Sequence, residues 1–250
     1  MRMFLGVLVG LAALTAASSA MALDEFGSGG QFAVGIERAF GAYHYSMSDR
    51  WERAIGNNVG VYEDTYSGTQ WNLLLGRSSD TTIANSLIIP RVGFDYFVAN
   101  HWSVGGAIGY VTSSGERTEE TRPPGQNLQL HYVPDTSGFL FAPRAGFAYM
   151  FTKVVGIWPR AGITYMHGSS DLSTPGAHTE TSINLWDLDL ECHLVITPVD
   201  HVAITVGPVV DIGIAGGYEV KQTPIPNNPE PDHDNKLTNY GVAAGLLAYF

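Results

Sequence analysis

The sequence predicts an all-β chain: an eight-stranded antiparallel up-and-down transmembrane β-barrel with long extracellular loops. Three observations carry that prediction. Apolar and polar residues alternate with period two through eight segments, as strands with two unlike faces require. The connections between those segments alternate between short and long. Large apolar side chains share one face while small and charged ones share the other, which inverts the soluble pattern and fits a sheet whose outside is lipid.

The chain begins with a targeting segment. Arg2 gives a positive start, Phe4 to Ala17 an apolar run, and Ala20-Met21-Ala22 the small-x-small pattern of signal peptidase cleavage. The run is short for a spanning helix, which needs about 20 apolar residues. Residues 1–22 are therefore read as a signal peptide and 23–250 as one barrel domain. The formal net charge is −11, and cleavage removes only the cation Arg2. Such acidity argues against nucleic acid and anionic lipid surfaces as partners. Cys192 is the single cysteine, so no internal disulfide staples the fold. No later segment is long and apolar enough for a spanning helix, so insertion has to use strands.

The strands are expected at 31–45, 84–98, 101–112, 137–151, 154–168, 182–197, 201–214 and 237–250. Turns at Ala99-Asn100, Thr152-Lys153 and Pro198 to Asp200 are short, while 46–83, 113–136, 169–181 and 215–236 are long and polar. Short turns on one rim and long loops on the other are the mark of an outer-membrane barrel, with the short rim periplasmic. In the fourth segment, Phe139, Phe141, Ala145, Phe147, Tyr149 and Phe151 oppose Ala142, Arg144, Gly146 and Ala148. Tyr110, Tyr149, Tyr165, Tyr240, Trp102 and Phe250 fall near strand ends, where interfacial aromatics belong.

Three strands carry a repeat. IPRVGFDYF (89–97), APRAGFAYM (142–150) and WPRAGITYM (158–166) share Pro-Arg-x-Gly-x-x-Tyr. Because proline forfeits a ladder hydrogen bond, Pro90, Pro143 and Pro159 are expected at bulges or bends. The parity of the repeat sends Arg91, Arg144 and Arg160 inward. The stretch WDLDLECHLVI (186–196) puts Asp187, Asp189 and Glu191 on one face, and Glu37, Asp95 and Asp211 share the inward parity. Arginine on the lipid face at the bilayer midplane costs about 2–4 kcal/mol, so these nine residues belong in the lumen. Arg144 and Arg160 are expected to pair with carboxylates such as Asp189 and Glu191. An eight-stranded barrel is just wide enough for its own side chains, so the network is expected to fill the lumen. Arg38 falls on the lipid parity beside inward Glu37, an inconsistency that only a bulge would remove.

The signal peptide, the eight strands, IERAFG (36–41), the Pro-Arg-x-Gly strands, HWSVGG (101–106) and the terminal AYF together resemble small outer-membrane β-barrel proteins of the OmpA/OmpX-like group. The resemblance spans essentially the whole mature chain. It implies an outer-membrane location, contact with outer-membrane lipid, and recognition of Phe250 by the outer-membrane assembly machinery. The chain is expected to be a monomer. Members of such families serve as envelope anchors, adhesins, defence proteins, small pores and occasionally enzymes.

The expected function is non-enzymatic: an envelope-structural or surface-interaction role, with an extracellular partner at the loops. Two alternatives stay open. One is a narrow pore. The other is an outer-leaflet lipid deacylase, because His167 and Ser169 at the outer end of a strand, with Glu180 as an orienting acid, are similar to the His-x-Ser arrangement of outer-membrane lipid A deacylases. Asp232, His233 and Asp234 have donor types suited to a divalent cation, but NNPEPDHDNK reads as a solvated Pro-rich loop. No cofactor or metal is expected.

Overall fold

Period-two alternation produces strands almost throughout. A computed structural model describes residues 25–55, 58–73, 91–113, 116–118, 130–132, 135–174, 177–223 and 233–250. The signal-peptide reading, residues 84–90 with Pro90, and Asp232 lie outside them. In chain order the strands are β1 (Phe32–Ile55), β2 (Asn58–Leu73), β3 (Arg91–Ala99), β4 (Trp102–Ser113), β5 (Glu116–Thr118) and β6 (Leu130–Tyr132). They continue with β7 (Asp135–Phe147), β8 (Tyr149–Met150), β9 (Val155–Thr174), β10 (Ala177–Val199), β11 (Val202–Thr223) and β12 (His233–Tyr249).

Antiparallel pairing runs β1-β3-β4-β7-β9-β10-β11-β12 and returns to β1, which closes a ring of eight staves. Closure leaves no edge in the eight-stave ring itself, the condition a sheet must meet to stand in hydrocarbon, while β2 lies off the ring and pairs with β1. β8 continues the β7 stave beyond Ala148, and β5 pairs only with β6. The seam between first and last staves is locked at its periplasmic end, where Phe32 and Phe250 exchange backbone hydrogen bonds of 2.8 and 3.0 Å.

Facing outward is an apolar belt. Phe94, Ile108, Phe141, Ile163, Leu190, Ile204, Val242 and Leu246 are all exposed. Tyr165 and Trp186, with ring centroids 4.7 Å apart, and Tyr240 mark its outer rim. Trp102, Tyr149 and Phe151 mark the periplasmic rim. A belt with aromatic borders is the surface of a bilayer-spanning barrel.

Three expectations change. Residues 46–55 and 58–73 are not loop, because β1 runs on to Ile55 and β2 pairs with it from Phe40↔Leu73 to Ile55↔Asn58. β9, β10 and β11 likewise extend well beyond the predicted ends. Outside the membrane both faces of a strand are polar, so the apolar alternation stops while the hydrogen-bond ladder continues. The third change concerns proline. Register runs without a slip through Gly106↔Pro143 and Cys192↔Pro159, so these prolines cost a ladder bond but no bulge, and the flanking pairs hold the strand in place.

Two periplasmic turns share a device that the pattern did not reveal. His101 and His201 adopt φ of 74° and 66°, an unusual region for a residue with a Cβ. Each ring compensates locally: His101 Nδ1 lies 2.9 Å from the Ala148 carbonyl and His201 Nδ1 2.9 Å from that of Tyr249. The turn histidines thereby tie two hairpins to the ends of neighbouring staves.

The fold predicts heat-modifiable behaviour, since a closed barrel has no edge from which detergent can peel strands. Unboiled protein should migrate differently from boiled protein on a denaturing gel. Identical mobility, together with recovery in the soluble fraction, would contradict the barrel.

Candidate functional site

Across the middle of the lumen lies a layer of charge. Arg38, Arg91, Arg144, Arg160, Asp95, Asp187, Asp189, Glu191 and Asp211 are all buried, and the Glu37 side chain is 12% exposed. They come from β1, β3, β7, β9, β10 and β11. Alternation turns every second residue of a stave inward, so six strands deliver charged groups to one level.

Arg38, left between lipid parity and a bulge by the sequence, sits in a bulge. It does not face lipid. Ile36 pairs with Leu246 and Phe40 with Ala244, so Glu37, Arg38 and Ala39 together oppose the single residue Gly245. This bulge, with Arg38 at φ 50°, turns Glu37 and Arg38 inward and restores the parity beyond it. Arg38 then donates to both oxygens of Asp211 at 2.7 and 2.8 Å, to Asp189 at 3.0 Å and to Glu191 at 2.9 Å.

The remaining arginines divide the carboxylates. Arg144 donates to Glu37 at 2.6 Å and to Asp95 at 3.2 Å. Arg160 pairs with Glu37 at 2.7 Å and with Glu191 at 2.6 Å, and its guanidinium stacks 4.4 Å from the Trp158 ring. Arg91 donates to Asp189 at 3.2 Å, which also accepts from Thr164 at 3.3 Å. Asp189 therefore belongs to Arg38 and Arg91, not to Arg144 or Arg160 as expected. Asp187 is fully buried beside the layer, and neither of its oxygens accepts a hydrogen bond from a described residue.

The repeat now has a physical explanation. Arg144 lies opposite Gly105 and Gly162, Arg160 opposite Gly146, and Arg91 opposite Gly109. A Cβ on Gly162 would meet the Arg144 Cβ at 2.7 Å, and one on Gly146 would meet the Arg160 Cγ at 2.9 Å. Each Pro-Arg-x-Gly copy supplies an arginine and, two residues later on the same face, a glycine whose missing side chain leaves room for a neighbouring arginine stem or, at Gly93, for the Glu37–Arg144 pair.

Below the layer is an aromatic floor that sequence reasoning missed. Residues 25–31 fold back under the barrel, where the His101 amide donates to the Gly27 carbonyl at 2.7 Å and the Gly30 amide to that of Phe97 at 2.7 Å. Phe26, 2% exposed, stands edge-on to Phe97, Trp158 and Tyr249 with centroids 5.2 to 5.3 Å away. Above the layer, Leu140, Met166, Ile183, Leu185 and Leu237 form a second buried cluster, against which Tyr45 and Met47 pack.

The proposed hydrolytic group is dispersed over other partners. His167 Nδ1 lies 2.8 Å from Asn184 Oδ1, the Ser169 and Ser137 hydroxyls are 2.7 Å apart, and Glu180 stands opposite Asp171. His233 sits on β12, 2.8 Å from Asp49. Among the described residues no group of three or more His, Cys, Asp or Glu is placed to hold a metal ion.

No protein-family model matches the chain, and no curated protein matches its sequence. Among solved structures it is similar to OprG of Pseudomonas aeruginosa, with a TM-score of 0.53 at 13% identity over 91% of this chain and 99% of that one. The fold is that of an outer-membrane β-barrel. The likeness agrees in architecture with the small barrel expected from the strand pattern, and with the apolar belt it puts the chain in the outer membrane. Ail of Yersinia pestis gives a TM-score of 0.36 at 13% identity, over 88% of this chain and 99% of Ail. The outer membrane protease OmpT of Escherichia coli gives 0.39 at 8%, over 93% and 100%.

The pairing predicts which double variants couple. Removing one partner of a dry buried ion pair costs about 3–5 kcal/mol, because the other charge is stranded. Arg160→Ala should lose stability on that scale in vesicles, and Arg160→Ala with Glu191→Gln should recover part of it. Arg160→Ala with Asp189→Asn should be closer to additive. Urea unfolding of the four proteins checks this, and equal coupling for both pairs would contradict the assignment.

Proposed function

We propose that this barrel is a non-enzymatic scaffold that acts through its extracellular surface and does not conduct through its lumen. The supporting observation is that the lumen is occupied at three successive levels: the Phe26 floor, the charge layer and the Leu140–Leu185–Leu237 cluster. A strand needs about 9–11 residues to cross the bilayer. β1, β9, β10 and β11 have 24, 20, 23 and 22 residues, and the periplasmic turns that lead into β9 and join β10 to β11 are short. The surplus therefore stands outside the outer leaflet as extended sheet.

That outer sheet carries features of a contact surface. Trp51 is stacked between Tyr62 at 5.6 Å and His233 at 5.0 Å, and Val61, Tyr62 and Tyr66 are exposed to water rather than lipid. Aromatic side chains held rigidly at a surface are the commonest anchors of protein contacts. An extracellular partner at the β1–β2 hairpin accounts for their exposure.

The reading predicts silence in planar bilayers. Purified protein refolded into the membrane should give no steady single-channel steps. Stable, reproducible conductance levels would overturn the scaffold and favour a pore whose charge layer sets its selectivity.

A further inference from the structure

The outward wall is not uniformly convex. A groove of about 560 Å³ crosses β7, β9, β10 and β11 near the periplasmic rim, with Trp102 of β4 at its edge. Its floor is made of small side chains, Ala145, Ala161 and Cys192, and of Pro159 and Pro208; Ala145 lies opposite Ala161 and Pro159 opposite Cys192. Arg160 and Glu191 border it only by backbone, since their side chains point into the lumen. The groove is thus an apolar trough within the lipid-facing belt, and the medium that meets it is hydrocarbon.

Charge beyond the periplasmic end of the groove, six residues along the chain from Pro159 and roughly 20 Å away by strand rise, narrows the occupant. The turn joining the β7–β8 stave to β9 carries Lys153, the only Lys or Arg in the described periplasmic turns of this acidic protein. That turn is firmly held: Thr152 Oγ1 accepts from the Val154 and Val155 amides at 3.2 and 3.0 Å, and Thr197 Oγ1 donates to the Lys153 carbonyl at 3.1 Å. A cation thus stands at the water boundary of two of the four staves that form the trough.

We propose that this groove binds one phospholipid of the periplasmic leaflet, with an acyl chain along Ala145, Ala161 and Cys192 and its phosphate at Lys153. Small floor residues let the chain approach the backbone, where bulky neighbours elsewhere on the belt hold lipid further off. Lys153 supplies the charge-assisted contact that an anionic phosphate needs on an otherwise acidic chain.

The test is native mass spectrometry after mild-detergent extraction from vesicles of phosphatidylethanolamine and phosphatidylglycerol. Wild-type protein should carry one retained phospholipid. Ala161→Trp, which fills the trough, should reduce retention at least tenfold, and Lys153→Glu several-fold. Val92→Trp, a bulky change on the lipid face of β3, should retain the lipid. Ala145→Leu provides a milder filling if the tryptophan variant fails to assemble. Equal lipid retention in wild type and the filled variants would overturn the proposal. So would a two-chain mass without lipid, which would give the groove to a second copy.

Discussion

Arg38 is the side chain on which the interior depends. Its guanidinium reaches Asp211 through two nitrogens and also meets Asp189 and Glu191, so one cation from β1 ties together β10 and β11 across the lumen. A planar fork with five donors suits this role, and a lysine ammonium could not reproduce the paired geometry. The arrangement exists only because three residues of β1 oppose one of β12. Strain at φ 50° and the lost ladder bonds are offset by bringing a guanidinium to three buried carboxylates.

Buried ion pairs are poor sources of net stability but good sources of specificity, since each charge excludes every register that would strand it. In a barrel, a one-residue slip turns the whole inward set toward lipid. The charge layer penalises that slip at six strands at once. The glycines opposite Arg91, Arg144 and Arg160 reinforce the effect, because a guanidinium shifted along its stave would meet a side chain instead of a gap. The same layer, with Phe26 beneath and Leu140 and Leu185 above, occupies the lumen, and this occupation supports the proposed role of the outer surface.

Much of this was legible in period-two alternation, because hydrocarbon imposes an unambiguous sorting of faces. The inward parity of Arg144 and Asp189 follows directly from it. What alternation does not encode is pairing across the lumen, so the partners of Asp189 were misassigned: they depend on barrel curvature and on Arg38. The β1–β2 hairpin escaped for a related reason. Beyond the membrane VYEDTYSGTQ has polar residues on both faces, so the pattern fades where the ladder does not. Phe26 lies in a short Gly-rich segment with no period at all, and its role appears only where the floor of Phe97, Trp158 and Tyr249 is assembled.

The most direct test of the account is the stability of Arg38→Met in lipid vesicles. The substitution keeps the stem, removes the guanidinium, and strands Asp211 along with parts of Asp189 and Glu191. Urea titration should show a loss of about 3–5 kcal/mol relative to wild type. A change within about 0.5 kcal/mol, the range of an ordinary surface substitution, would contradict the claim that Arg38 organises the interior.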